Sequence, residues 1–99
     1  MIIHKVGDGD LFHESLKSYG WDEIWYDYNQ GYYQGWGALL VRKDDKFVLF
    51  DIGHCSCYGP EDTIDMEGKV WEDFDKLWDR LSDGSKKCCM TVFEAARKS

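Results

Sequence analysis

Apolar residues concentrate in two short runs, 36–41 and 47–52, separated by Arg42-Lys43-Asp44-Asp45-Lys46. Runs of that length, joined by a charged stretch with adjacent aspartates, predict a β-hairpin. Leu39 and Val41 face one way and Ala38 and Leu40 the other, while Phe47 and Leu49 oppose Val48 and Phe50. Both strands are therefore apolar on two faces, as strands covered on both sides are. A different period runs through residues 70–81. Trp71, Phe74, Leu77, Trp78 and Leu81 lie within about 120° of one another at about 100° per residue, which predicts an amphipathic helix closed by Ser82-Asp83-Gly84. A second helix is expected over 86–98 with Cys89, Val92, Phe93 and Ala96 inward. Thr91-x-x-Glu94 resembles a capping box, and a start there leaves 86–90 extended.

The N-terminal third carries weaker patterns. Residues 1–6 predict a short edge strand, and Gly7-Asp8-Gly9 a turn. Asp10 then caps a short helix with Phe12, Leu16 and Tyr19 on one side and Gly20 at its end. Residues 21–28 fit two periods. Trp21, Ile24, Trp25 and Tyr28 suit a helical face, and Ile24, Tyr26 and Tyr28 one face of a strand. Aromatic content, short length and the bounding Gly20 and Asn29-Gln30-Gly31 favour the strand. Gly31, Gly35 and Gly37 read as a bulge or close approach within a sheet. A phosphate-cradling loop needs glycines that open a helix, whereas Leu39-Leu40-Val41 follows here as strand.

Together these elements predict a single α+β domain over residues 1–99. Its small antiparallel sheet has three to four strands and a central hairpin (36–43 and 46–52). A short N-terminal helix and one or two C-terminal helices (69–82 and 86–98) pack on it. Two short helices cover one face of such a sheet, and a homodimer partner is expected to cover the other.

Composition narrows the class. With 43% apolar and 31% charged residues the chain is globular, with a radius near ~13 Å. Its apolar runs are too short to span a bilayer, and Met1-Ile2-Ile3-His4-Lys5 lacks the layout of a signal peptide, so a cytoplasmic protein without membrane contact is expected. The four cysteines are then expected as thiols. A net charge of −7 argues against direct binding of nucleic acid, whose partners spend lysine and arginine on phosphates. Residues 1–60 hold 9 acids and 5 bases, 61–84 hold 9 and 3, and 85–99 hold 1 and 4. An acidic middle suits either the chain's own basic tail or a basic partner.

Three constellations carry candidate chemistry. Glu72, Asp75, Asp79 and Asp83 fall on one helical stripe opposite the Trp/Phe/Leu face, behind an acidic loop holding Glu61, Asp62 and Asp65. Like charges four apart cost about 0.2–0.5 kcal/mol per pair, and Glu72–Lys76 offsets part of that. The plain account is a solvated face. The sharper one is a surface that offers carboxylates to a basic groove and steers association. Tyr26, Tyr28, Tyr32, Tyr33 and Trp36 either hold a small sheet together or line a pocket for a planar, nucleotide-like ligand. His54, Cys55 and Cys57 are proper zinc-ligand types, yet the common frames place two to four residues between ligands. Packed thiols in a tight turn made by His54, Cys55, Cys57, Tyr58, Gly59 and Pro60 are the simpler expectation, with no cofactor. A cysteine nucleophile needs a base in reach, and neighbours along an extended chain point apart. No catalytic residue is assigned.

The lead-in to the hairpin, the hairpin itself and above all Gly53-His54-Cys55-Ser56-Cys57-Tyr58-Gly59-Pro60 resemble a group of small, mostly uncharacterised proteins encoded by bacteriophages and related mobile elements. The resemblance implies a phage origin, a place in the host bacterial cytoplasm and an accessory role of the kind played by inhibitors of host defence such as anti-CRISPR proteins. With the acidic stripe it implies a non-enzymatic inhibitor of a host protein, most plausibly a nucleic-acid-handling nuclease with a basic groove. Glu72, Asp75, Asp79 and Asp83 would face that groove, with Tyr32, Tyr33 and Trp36 as aromatic anchors. The alternatives are a small-ligand binder with an aromatic pocket, and a zinc- or cysteine-dependent enzyme built on His54, Cys55 and Cys57.

Overall fold

Strands β3 (Gly35–Lys43) and β4 (Lys46–His54) form the expected hairpin, paired from Gly35↔His54 to Lys43↔Lys46. Only Asp44 and Asp45 lie outside the ladder, with φ of 52° and 64°. Two consecutive left-handed residues make the type I′ turn that fits the strand twist, and aspartate tolerates that region better than most side chains. The Asp44 amide donates to Asp22 Oδ2 at 2.9 Å, which ties the turn to the chain ahead of the neighbouring strand. The computed structural model describes residues 1–7, 9, 13–30, 35–54, 64 and 69–98, with the backbone alone at 13, 15, 30, 35, 36, 53 and 54.

The expected strand over 21–28 is found as β2 (Glu23–Gln30), shifted two residues along, and it runs antiparallel to β3, with Glu23 opposite Arg42 and Gln30 opposite Gly35. β1 (Ile2–Lys5) completes a sheet ordered β1-β2-β3-β4. β1 and β2 are parallel, so the sheet is mixed rather than antiparallel throughout. Parallel neighbours need a crossover connection, and helix α1 (His13–Lys17) supplies it. Gly20, at φ 71°, ends that crossover as expected, with its amide donating to the Lys17 carbonyl.

The period-two alternation sorts side chains onto two covered faces. On one, Ile24, Tyr26, Tyr28, Leu39, Val41, Val48, Phe50 and Ile52 are covered by Leu16, Trp21 and Ile64, with Ile3 and Trp71 packed against the margin. On the other, Trp25, Ala38 and Leu40 meet Leu77, Cys89, Val92 and Phe93. Each large side chain fully buried in this way contributes about 1.5–3 kcal/mol. Described residues of this one chain thus pack on both faces of the sheet.

The C-terminal helices are α2 (Phe74–Arg80) and α3 (Asp83–Lys98), and they depart from the expected bounds of 69–82 and 86–98. Residues 70–73 are not helical. Glu72 pairs as an antiparallel bridge with Phe47 on the edge strand β4, so α2 starts only after Asp73, its extended N-cap. Trp71 consequently packs on the opposite sheet face from Phe74, Leu77, Trp78 and Leu81. The expected terminator Ser82-Asp83-Gly84 instead opens α3. The Ser82 hydroxyl oxygen accepts from the Ser85 amide at 3.2 Å, an N-cap contact. α3 then runs through 86–90 without a break, and Thr91 lies in its interior, hydrogen-bonded to Asp27 rather than capping. α2 and α3 lock through rings: Phe93 lies 5.2 Å from Phe74 and 4.9 Å from Trp78, and the Arg97 guanidinium sits over both partners.

Candidate functional site

The four carboxylates of the expected stripe do not share a helix face. Glu72 sits in the bridge to Phe47, and Arg80 donates to its Oε2 from Nε at 3.0 Å and from Nη2 at 2.8 Å. Asp73, next along, pairs with Lys46 and lies 3.7 Å from Lys76. The hydrogen bond and charge of Lys46, helped by Lys76, hold its carboxyl below the usual carboxylate range. Asp75 and Asp79 remain on the exposed side of α2, since Leu77 with Phe74 and Trp78 turns the other side to the core. Asp83 occupies the first turn of α3, where the helix dipole favours an acid. Asp75, Asp79 and Asp83 have no cation within ion-pair distance among the described residues. In this C-terminal region the exposed carboxylates without an ion pair among the described residues therefore include those of the α2 surface and the α2–α3 junction.

A second acidic feature lies between the sheet and α3. Asp27 on β2, Ala38 on β3 and Asp51 on β4 stand in register across three strands. The middle strand offers only Gly37 and Ala38 there, leaving a cleft of about 350 Å³ whose described walls include Asp27, Asn29, Asp51 and Cys88. Gly37 is required: an added Cβ would lie 2.1 Å from the Asp27 carbonyl oxygen. The Thr91 hydroxyl donates to Asp27 Oδ2 at 2.6 Å and joins α3 to this wall. Cys88 is exposed and Cys89 buried behind it. Burial, with the charge of Asp51 and then Cys88 adding, pushes the Cys89 thiol up to about 11. A thiol held protonated in that way is no nucleophile at neutral pH. The cleft can accept hydrogen bonds and balance positive charge.

Part of the expected site lies outside the described residues: Glu61, Asp62, Asp65, Tyr32, Tyr33, Cys55, Cys57, Tyr58, Gly59 and Pro60. His54 ends β4 opposite Gly35, and Trp36 pairs with Asn29 and Gly53, both described by backbone alone. Among the described residues no group of three or more histidine, cysteine, aspartate or glutamate side chains is arranged to hold a metal ion. Tyr26 and Tyr28 are core side chains, 0% and 1% exposed, so they are not open to a planar ligand.

No protein-family model, curated protein or solved structure matches this chain. No helix among the described residues is long and apolar enough to cross a membrane.

Sequence reasoning passed over Asp27 and Asn29. Strand alternation puts both on the face of Trp25, and a polar pair at the end of an inward-facing row is the signal that marks them.

Proposed function

We propose that the protein is a non-enzymatic binding module that docks on a basic protein surface through Asp75, Asp79 and Asp83. One observation carries the reading. Neighbouring Glu72 and Asp73 are neutralised by Arg80, Lys46 and Lys76, whereas those three exposed carboxylates have no cation partner among the described residues. Carboxylates left in solvent cost little in the free protein and act through steering and complementarity when a basic groove approaches. A surface that binds phosphate backbones has that groove. The resemblance of residues 53–60 to phage-encoded proteins supplies the setting: an inhibitor that occupies a host nuclease in place of nucleic acid.

The test is capture from a bacterial lysate by the wild-type chain and by an Asp75→Lys/Asp79→Lys variant of unchanged circular dichroism. The expected result is a basic, nucleic-acid-handling protein held by the wild type, released by salt and lost with the variant. Equal capture by both chains, or binding indifferent to salt, overturns the reading.

A further inference from the structure

A cleft of about 280 Å³ opens at the hairpin tip, lined among the described residues by Lys43, Asp44, Lys46 and Trp71. It lies on the sheet face opposite α2 and α3, because Trp71 packs with the cluster containing Leu39, Val41, Val48 and Phe50. By alternation from Val41 and Val48, Lys43 and Lys46 project to that same face. They are also direct cross-strand partners. Like charges placed directly opposite in a ladder oppose its pairing. Lys46 is relieved by Asp73. Lys43 has no carboxylate within ion-pair distance among the described residues, in a chain where acids outnumber bases 19 to 12.

The cleft thus offers an ammonium without a carboxylate partner among the described residues, a half-buried indole and, at Asp44, a carboxylate. We propose that it binds a small ligand with one planar ring, an anionic substituent and an N–H edge, the chemistry of a pyrimidine nucleoside monophosphate. The ring stacks on Trp71, the phosphate faces Lys43 and relieves the Lys43–Lys46 opposition, and an N–H of the base donates to Asp44. The small volume favours one ring over two. This site is separate from the acidic surface of α2, and either can fail without the other.

The test is a titration of the isotopically labelled chain with cytidine monophosphate, followed by amide and indole chemical shifts. Saturable shifts are expected at Lys43, Asp44, Lys46 and the Trp71 indole. Cytidine alone and inorganic phosphate alone should each bind at least about tenfold more weakly. Lys43→Glu should weaken binding at least about tenfold while leaving the hairpin intact, because it turns a like-charged pair into an opposite-charged one. Trp71→Phe should weaken it less. No saturable shift at these residues up to about 10 mM nucleotide overturns the proposal, as does unchanged affinity in Lys43→Glu or equal binding of phosphate alone.

Discussion

Phe47 and Glu72 exchange both backbone hydrogen bonds, Phe47 N donating to Glu72 O at 2.7 Å and Glu72 N to Phe47 O at 3.0 Å. β4 is the sheet's edge, and its outward amides need partners. One added rung holds residue 72 extended, delays α2 to Phe74 and takes a carboxylate out of the acidic surface. Proline at 72 removes the donor, so Glu72→Pro should cost about 1–3 kcal/mol in urea denaturation. Glu72→Ala keeps the rung and loses only the Arg80 pair, and should cost less than about 1 kcal/mol. Equal costs would put the weight on the side chain instead.

Ser82 marks the boundary between the two helices by capping the second. Ser82→Ala should destabilise by about 1 kcal/mol, and Ser82→Asp should restore most of it, read as shifts in thermal midpoint. No loss in the alanine variant would mean that the Ser85 amide finds water equally well.

Phe93 is the ring that joins both helices to the sheet, 1% exposed between Phe74 and Trp78. Phe93→Ala should cost about 3–5 kcal/mol, much of the stability of a domain this size. Phe93→Leu should cost less. Denaturation midpoints for the pair measure the contribution of the ring.

The Cys89 thiol carries a pH signature. Its folded pKa is raised from 9.0 to about 11, so its contribution is fully present below the unfolded value and is lost as pH climbs towards the folded one. Stability should fall across that alkaline window, and Cys89→Val should flatten the fall. In a Cys55→Ser/Cys57→Ser background, Cys88 should react with a disulfide reagent at neutral pH and Cys89 only on unfolding. Two fast thiols would contradict the burial.

Asp73 gives the opposite sign. Its folded pKa is lowered by Lys46, so its contribution is present above the unfolded pKa and lost as pH falls through the folded one. The gap in thermal midpoint between wild type and Asp73→Asn should narrow towards zero on acidification from about pH 7 to pH 2. A gap that does not change with pH would show that the Lys46 pair contributes nothing.

The candidate site was only partly legible. Asp75 and Asp79 are outward where spacing puts them, because a helix with Phe74, Leu77 and Trp78 inward has no other place for its acids, whereas Asp83, expected on the same stripe, lies in the first turn of α3. Glu72 leaves the stripe although a helical period extends through 71 and 72 in sequence, and nothing local reveals a distant strand edge in need of partners. Asp27 and Asp51 meet one cleft only because two separate strands flank Gly37 and Ala38 in one register, and register is a property of pairing rather than of either strand.

By itself the sequence determined the hairpin, the end of the first helix and which side chains share a sheet face, since each follows from a period of two or from backbone freedom within a few residues, and it favoured a strand after Gly20 where two periods fit. Only the tertiary structure decided that β1 runs parallel to β2, where the C-terminal helices begin, and that one chain packs on both faces of its sheet. Those outcomes depend on backbone groups far apart in sequence finding hydrogen-bond partners and on which apolar faces meet, and neither is written in any local pattern.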